Sequence, residues 1–208
     1  MIKILAIGDS HIPRRAKAIP SQVSLKLNQL TEKEKYDYTF FTGDVVKADN
    51  FLKFLDLNTK RNVFIVIGNM DYFGGDRDTP VSHRLTISMN GNNNLKIGLI
   101  HGHQISPRGD RSQLESIAID NDYNILISGH THKEEVFLTK KGILLLNPGS
   151  VTGAWSFIAS GNPSFITLSI NEETREINVS LYQLAKRFVE INEVKSSFMM
   201  ENNKIRYF

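Results

Sequence analysis

One arrangement recurs along the 208-residue chain and constrains its fold more than any other feature. A short apolar run, rich in β-branched residues, ends abruptly in a glycine or a polar residue; the first run, residues 2–7, is followed by Gly8 and Asp9. Because these runs lack strict alternation, they favour strands that are buried on both faces of a sheet. The runs are residues 2–7, 38–42, 63–67, 95–100, 124–128 and 143–146.

Segments with helical periodicity separate several of these runs, namely residues 21–35, 48–58 and 112–120. Strands and helices that alternate in this way predict an α/β layered fold. After about Trp155 the pattern changes to two alternating runs, residues 165–170 and 177–184, which are joined by turn residues. This part predicts a β-hairpin, and residues 189–194 predict a further strand.

Length and composition favour one globular domain. A chain of 208 residues is too short for two sizeable cores, and 40% apolar with 23% charged residues is ordinary for a globular protein. We expect the domain to span residues 1–195. Residues 196–208 show no strong periodicity, so we expect a disordered C-terminal tail there.

The charge pattern argues against nucleic acid as a partner. The 25 basic side chains are spread among 22 acidic ones, with no basic stripe, which disfavours a nuclease acting on DNA. The absence of cysteine permits a reducing compartment. The first residues lack the features of a signal peptide, and no apolar run is long enough to span a membrane, so we expect a cytoplasmic protein.

Polar side chains that can bind metal ions follow the predicted strands. Five of the six histidines lie in these loops, and only His83 lies elsewhere. A lone aspartate is usually a turn residue and a lone histidine is usually structural. The indication of a metal site therefore comes from the whole set and not from any one residue. Ligands gather beyond the carboxyl ends of strands in open α/β sheets. The candidates are Asp9, His11, Asp44, Asn69, His101, His103, His130 and His132.

This set of carboxylate, imidazole and amide groups suits Mn²⁺, Fe²⁺ or Zn²⁺. Eight candidates exceed what one ion needs. Two ions roughly 3.5 to 4 Å apart, bridged by a carboxylate, would use most of them, and such a pair can activate water and clamp a phosphoryl group.

The same loops resemble the five motifs of the calcineurin-like metallophosphoesterases, in order along the chain: residues 8–11, 43–44, 68–71, 101–103 and 129–132. The resemblance implies a layered β-sandwich flanked by helices. It also implies a role for each position: Asp9, His11 and His132 for the first ion, Asp44 as the bridge, and Asn69, His101 and His130 for the second. His103 is expected either to support a ligand or to complete the first site, and Asp71 is a further candidate for a supporting role.

One position departs from this family. Many active members have a histidine directly after the motif asparagine, and this chain has Met70 there. A thioether cannot donate a proton. General acid catalysis is typically worth about 10² to 10⁴-fold, so we expect phosphoester hydrolysis to be weak or absent unless another residue substitutes.

A narrower resemblance runs from Met1 to about Lys195. The segments that carry it are residues 8–14, 19–20, 96–104, 107, 109–110, 125–133, 147–150, 152–154, 163–165 and 182–184. Over these segments the sequence is similar to the small subunit of retromer, the endosomal sorting coat, in the vacuolar protein sorting family. That family implies a scaffold in endosome-to-Golgi transport, whose metal-motif face docks onto the end of a large helical-solenoid subunit and which reaches the endosomal membrane only through the complex.

The predicted partner-binding residues are Ile12, Pro13 and Ile19, which put apolar groups and a fixed φ angle beside the metal motifs. The alternative is that Ile19 packs inward. Family members can also present an apolar patch to accessory partners. Ser106 and Thr167 stand at the aligning positions here, and the loss of apolar area would weaken such an anchor.

Two functions of different classes therefore remain open. The long resemblance and Met70 favour a scaffold subunit, whereas the complete ligand set favours a metal-dependent phosphodiesterase or phosphatase. We expect a scaffold that retains a dinuclear metal site.

Overall fold

The structure, a computed structural model, describes residues 1–91, 93–185 and 190–208. Within these residues there are twelve strands and four helices. The strands are β1 (Ile2–Ile7), β2 (Tyr36–Phe41), β3 (Thr59–Ile65), β4 (Ser82–Met89), β5 (Asn93–Ile100), β6 (Ile125–Ile127), β7 (Glu135–Leu138), β8 (Leu144–Asn147), β9 (Ser164–Ile170), β10 (Glu176–Leu184), β11 (Ile191–Glu201) and β12 (Lys204–Tyr207). The helices are α1 (Ser21–Thr31), α2 (Asp49–Leu57), α3 (Asn69–Phe73) and α4 (Arg111–Asp120).

The strands form two sheets. One has seven strands in the order β12-β11-β10-β9-β1-β2-β3, and the other has five in the order β4-β5-β6-β8-β7. In the first sheet β1, β2 and β3 run parallel, and in the second β5 and β6 run parallel. Each group of parallel strands therefore delivers its carboxyl ends, and the loops that follow them, to one edge of its sheet.

Three apolar clusters fill the spaces between the layers. The largest lies between the two sheets and includes Ile4 from β1 and Ile97 from β5. A second cluster joins the outer face of the seven-stranded sheet to α1 and α2, and a third joins the five-stranded sheet to α4. The predicted layered β-sandwich flanked by helices is confirmed.

The C-terminal residues differ from expectation. The predicted disorder of residues 196–208 is wrong, because β11 pairs with β10 from Ile191 to Met199 and β12 pairs with β11. Phe198, Met200 and Ile205 are buried in the cluster between the sheets. These three side chains stabilise the last strands, although the sequence around them is largely polar. Of the further strand predicted at residues 189–194, Val189 lies outside the described residues, and the strand begins at Ile191.

No helix among the described residues is both long and apolar enough to cross a membrane.

Candidate metal centre

The seven predicted metal ligands lie in loops that follow β1, β2, β3, β5 and β6. Six of them are buried, with exposed fractions from 0% for Asp9 to 7% for His130, and Asn69 is half-buried at the start of α3. Buried carboxylates and imidazoles are costly unless they are paired or bind metal ions. The sequence prediction that these side chains share one region therefore agrees with their burial beyond the strand ends.

Four side chains form the tightest group: Asp9, His11, Asp44 and His132. One ligand atom from each lies within 4.8 Å of the others. His11 Nε2 is 3.0 Å from His132 Nε2 and 3.2 Å from Asp44 Oδ2, and His132 Nε2 is 3.4 Å from Asp9 Oδ1. This buried Asp and His group can bind a metal ion, because two imidazole nitrogens and two carboxylates converge on one point.

Hydrogen bonding fixes which nitrogen of His132 faces this group. Its Nδ1 donates to the Ala154 carbonyl at 2.9 Å, which leaves the Nε2 lone pair of the neutral ring directed at the group. His11 Nε2 lies 3.0 Å from this lone pair, and His11 Nδ1 is buried with no hydrogen-bond partner among the described residues. A proton on His11 Nε2 would satisfy the contact between the two rings, whereas a lone pair there would need a cation. Because two imidazole nitrogens and two carboxylates converge here, the residues present fit a metal ion.

A second convergence of acceptors adjoins the first. His101 Nδ1 donates to the Thr42 carbonyl at 2.6 Å, so its Nε2 lone pair faces Asn69 Oδ1 at 3.2 Å and Asp44 Oδ2 at 3.6 Å. These three acceptor atoms repel one another unless a cation lies between them. The ring of His130 lies beside this second group, with its centroid 5.1 Å from that of His101.

Two supporting contacts tie the ligand loops together. Asp71 accepts hydrogen bonds from the backbone nitrogens of Val46 at 2.8 Å and Gly68 at 3.0 Å, and so joins the loop of Asp44 to that of Asn69. Thr42 Oγ1 donates to Asp9 Oδ2 at 3.0 Å. The sequence analysis did not identify Thr42 as a supporting residue. Its position directly before the Gly-Asp motif of residues 43–44 could have indicated this role.

His103 is exposed at the rim of the site. Its ring centroid is 5.5 Å from that of His101 and 6.3 Å from that of His130, which puts it beside the second group. Of the two roles predicted for His103, this position favours support of the second group over completion of the first.

Five of the predicted ligands adopt a left-handed backbone, which is uncommon for residues other than glycine. Strain of this kind costs roughly 1–3 kcal/mol per residue and clusters at functional sites. The residues and their φ angles are Asp9 (49°), His11 (49°), Asp44 (54°), His130 (67°) and His132 (57°). The surrounding loops therefore hold these five residues in strained backbone conformations that direct their side chains toward one another.

The electrostatics of the site favour positive charge at its centre. Burial raises the pKa of Asp44 to about 6. Burial lowers the pKa of His132, but the hydrogen bond and charge of Asp9 outweigh it, so that pKa is raised overall. Burial alone would raise the pKa of Asp9, and the hydrogen bond with His132 lowers it to about 2. Burial lowers the pKa of His11 and His130 to about 3, which keeps both rings neutral and able to ligate.

The predicted partner-binding residues differ in exposure. Pro13 is exposed, whereas Ile12 and Ile19 are half-buried and pack against the cluster under α1 and α2. The alternative that Ile19 packs inward is therefore partly correct. The loop lies directly beside the site, because the backbone nitrogen of His11 donates to the Asp44 carbonyl at 3.0 Å and that of Lys47 donates to the Ile12 carbonyl at 2.9 Å.

Thr167 is half-buried in β9, where it lines a groove of about 440 Å³ together with Ser180 and Tyr182. Ser106 is exposed, and its carbonyl accepts a hydrogen bond from Gln113 Nε2. Hydroxyl groups at both positions reduce the apolar area that either offers to a partner.

Comparisons with known proteins agree with this architecture. Residues 2–173 match the calcineurin-like phosphoesterase superfamily domain. The chain is 30% identical over 188 residues to vacuolar protein sorting-associated protein 29 of Saccharomyces cerevisiae, covering 83% of this chain and 65% of the yeast protein's length.

Two solved structures are also similar. Vacuolar protein sorting 29 from Cryptosporidium parvum superposes with a TM-score of 0.81 at 33% identity, covering 96% of this chain and 98% of that one. Wild-type Vps29 from Entamoeba histolytica, solved as a complex with Zn²⁺, gives a TM-score of 0.74 at 33% identity, covering 93% of this chain and 99% of that one.

Proposed function

The chain belongs to the calcineurin-like phosphoesterase superfamily and is a homologue of Vps29, and from this premise we propose that it is the small subunit of retromer. In this role it is a scaffold that docks on a large helical-solenoid subunit in endosome-to-Golgi transport. It is cytoplasmic and peripheral on endosomes, and its membrane association runs through the complex. The observation that carries the proposal is the similarity at 33% identity over 98% of a Vps29 chain.

The proposal includes a retained dinuclear metal site. Asp9, His11 and His132 hold one ion, Asn69, His101 and His130 hold the other, and Asp44 bridges them. The four converging ligand atoms of the first group and the acceptors that face one another in the second support this assignment, as does the Zn²⁺ complex of the amoebal relative. Mn²⁺, Zn²⁺ and Fe²⁺ all suit these donors. When bound, such ions supply Lewis acidity toward a phosphoryl oxygen.

A second function, metal-dependent phosphodiesterase or phosphatase, is favoured by the geometry of the ligand set. Against it stands Met70, since its thioether cannot protonate a leaving group. His103, which neither group of acceptors uses, is exposed at the rim. We therefore propose that hydrolysis is at most weak.

Co-purification tests the scaffold role. The tagged full chain, isolated from the cytosol of the cell that encodes it, should retain one large helical subunit at an equimolar ratio. Charge at the proposed docking face should remove it. Because Ile12 is half-buried, Ile12→Asp is paired with Arg14→Glu, an exposed position in the same loop.

The control is Thr167→Asp in β9, outside the proposed face, which should keep the partner. Circular dichroism and the melting temperature identify variants that have lost the fold. Wild-type chain that isolates alone, without a solenoid subunit, would exclude the scaffold role.

A further inference from the structure

An exposed aromatic pair lies in the loop between β8 and β9. Trp155 is 65% exposed and Phe157 is 80% exposed, and Ile158 beside them is 44% exposed. The two rings pack edge to face with their centroids 5.0 Å apart. Contiguous exposed apolar side chains of this size mark interaction sites in many proteins.

This loop is held in place from both sides. The Ala154 carbonyl accepts the hydrogen bond from His132 Nδ1 at 2.9 Å, and the Trp155 carbonyl accepts one from Arg15 Nη1 at 2.8 Å. The aromatic pair is thus attached to a proposed metal ligand and to the loop that carries Ile12 and Pro13. A surface fixed before binding loses little conformational entropy when a partner arrives.

Three basic side chains without ion pairs lie near the aromatic pair, although Asp110 lines the groove that two of them share and Glu134 accepts a hydrogen bond from Ser160 in the aromatic loop at 2.6 Å. Arg15, Arg108 and Lys133 form no ion pair with any residue in the described part of the chain. The guanidinium of Arg108 lies 5.9 Å from the centre of the Phe157 ring, and Arg108 and Lys133 line one groove of about 420 Å³ together with Ile158. By contrast, Arg111 in the same groove is paired with Glu135 at 2.6 Å.

We infer that Trp155 and Phe157, with Arg15, Arg108 and Lys133 around them, form the anchor for the partner subunit. The occupant is a segment of that subunit that presents apolar side chains to the rings and carboxylates to the three cations. Tryptophan and arginine are the residues most often found at the energetic centres of interfaces. This inference rests on the proposed scaffold function and assigns it an anchor outside the Ile12, Pro13 and Ile19 loop.

A protein partner fits better than an anionic membrane. Arg15 donates to the carbonyl of Trp155, which fixes this cation beside the rings and suits carboxylates held at fixed positions in a folded partner more than mobile lipid headgroups. The patch is also continuous, through Arg15, with the loop that carries Pro13. Both features suit a partner that covers the metal loops and the aromatic pair together.

The test measures the affinity of the wild-type chain and its variants for the purified solenoid subunit encoded by the same cell. Trp155→Ala with Phe157→Ala should weaken binding by about 30-fold or more, as expected for a hot spot. Lys133→Glu should weaken it by about tenfold and reduce its dependence on salt. Phe208→Ala is the matched control, since Phe208 is an exposed aromatic at the end of β12, and it should bind like wild type.

The outcomes separate the two proposals. If wild type binds and the double variant binds within about twofold of it, the anchor is wrong and the scaffold function stands. If wild type does not bind the subunit, both are wrong. The membrane alternative is tested by measuring binding to vesicles of phosphatidylserine and phosphatidylcholine. Wild-type binding to them that the double variant loses, with unchanged affinity for the subunit, would overturn the inference in favour of a membrane contact.

Discussion

Among individual residues, Asp44 is the one whose carboxylate lies close to both groups of acceptors in the site. Its Oδ2 lies 3.2 Å from His11 Nε2 and 3.6 Å from His101 Nε2, and its Oδ1 accepts a hydrogen bond from the Met70 backbone nitrogen at 2.8 Å. Burial raises its pKa from 3.8 to about 6. Without a metal ion, ionising Asp44 therefore costs more free energy in the folded chain than in the unfolded chain.

This predicts that Asp44→Asn stabilises the metal-free protein. A raised pKa gives stability that is full below the unfolded pKa of 3.8 and is lost as pH rises through about 6. The neutral amide avoids that loss. We expect a gain of about 3 kcal/mol in the free energy of unfolding at pH 7.5, shrinking toward zero below pH ~4. Urea denaturation in EDTA measures it, with the exposed Asp78→Asn as control, and lower stability of Asp44→Asn at pH 7.5 would contradict the account.

A second prediction at this scale concerns Met70. Met70→His supplies a side chain that can donate a proton beside Asp44, and we expect the Mn²⁺-dependent hydrolysis of bis(p-nitrophenyl) phosphate to rise by about 10² to 10⁴-fold. Met70→Leu is the matched control and should leave the rate unchanged. Wild-type turnover near the median of about 10 s⁻¹ for enzymes would contradict the scaffold role.

At the scale of elements, the turn after β3 depends on a glycine that leaves room for a neighbouring side chain. Gly68 precedes Asn69 with an ordinary φ of −88°, so its backbone needs no glycine. A Cβ there would collide with the side chain and backbone of Asp44. Space for the Asp44 carboxylate, and not backbone strain, therefore requires glycine at this position.

We predict that Gly68→Ala weakens metal binding by at least about tenfold, because it displaces Asp44. Gly75→Ala is the complementary control, since Gly75 has a φ of +103° and no atom within 4 Å of the added Cβ. That substitution should cost roughly 1–2 kcal/mol of stability through backbone strain and leave metal affinity unchanged. Calorimetric titration with Mn²⁺ compares the two, and equal affinities would show that the space at Gly68 is unimportant.

At the scale of the whole molecule, the strand ends were predictable because an apolar run followed by glycine and a polar residue reports both burial and a turn. The proposed ligands from Asp9 to His132 followed from that pattern. Strand β12 did not, since four residues carrying one buried side chain, Ile205, give no periodicity. The carbonyl of Ala154 and the exposure of Trp155 also leave no sequence signal, because both depend on how distant loops pack.

The central claim, two metal ions that share Asp44, is tested most directly by counting them. Chain stripped with EDTA and then titrated with Mn²⁺ or Zn²⁺ should bind two ions per molecule by calorimetry, with the same ratio by elemental analysis after dialysis. Asp44→Ala should bind none, because both groups lose the ligand they share. A wild-type chain that binds no ion, or an Asp44→Ala variant that still binds two, would contradict the account.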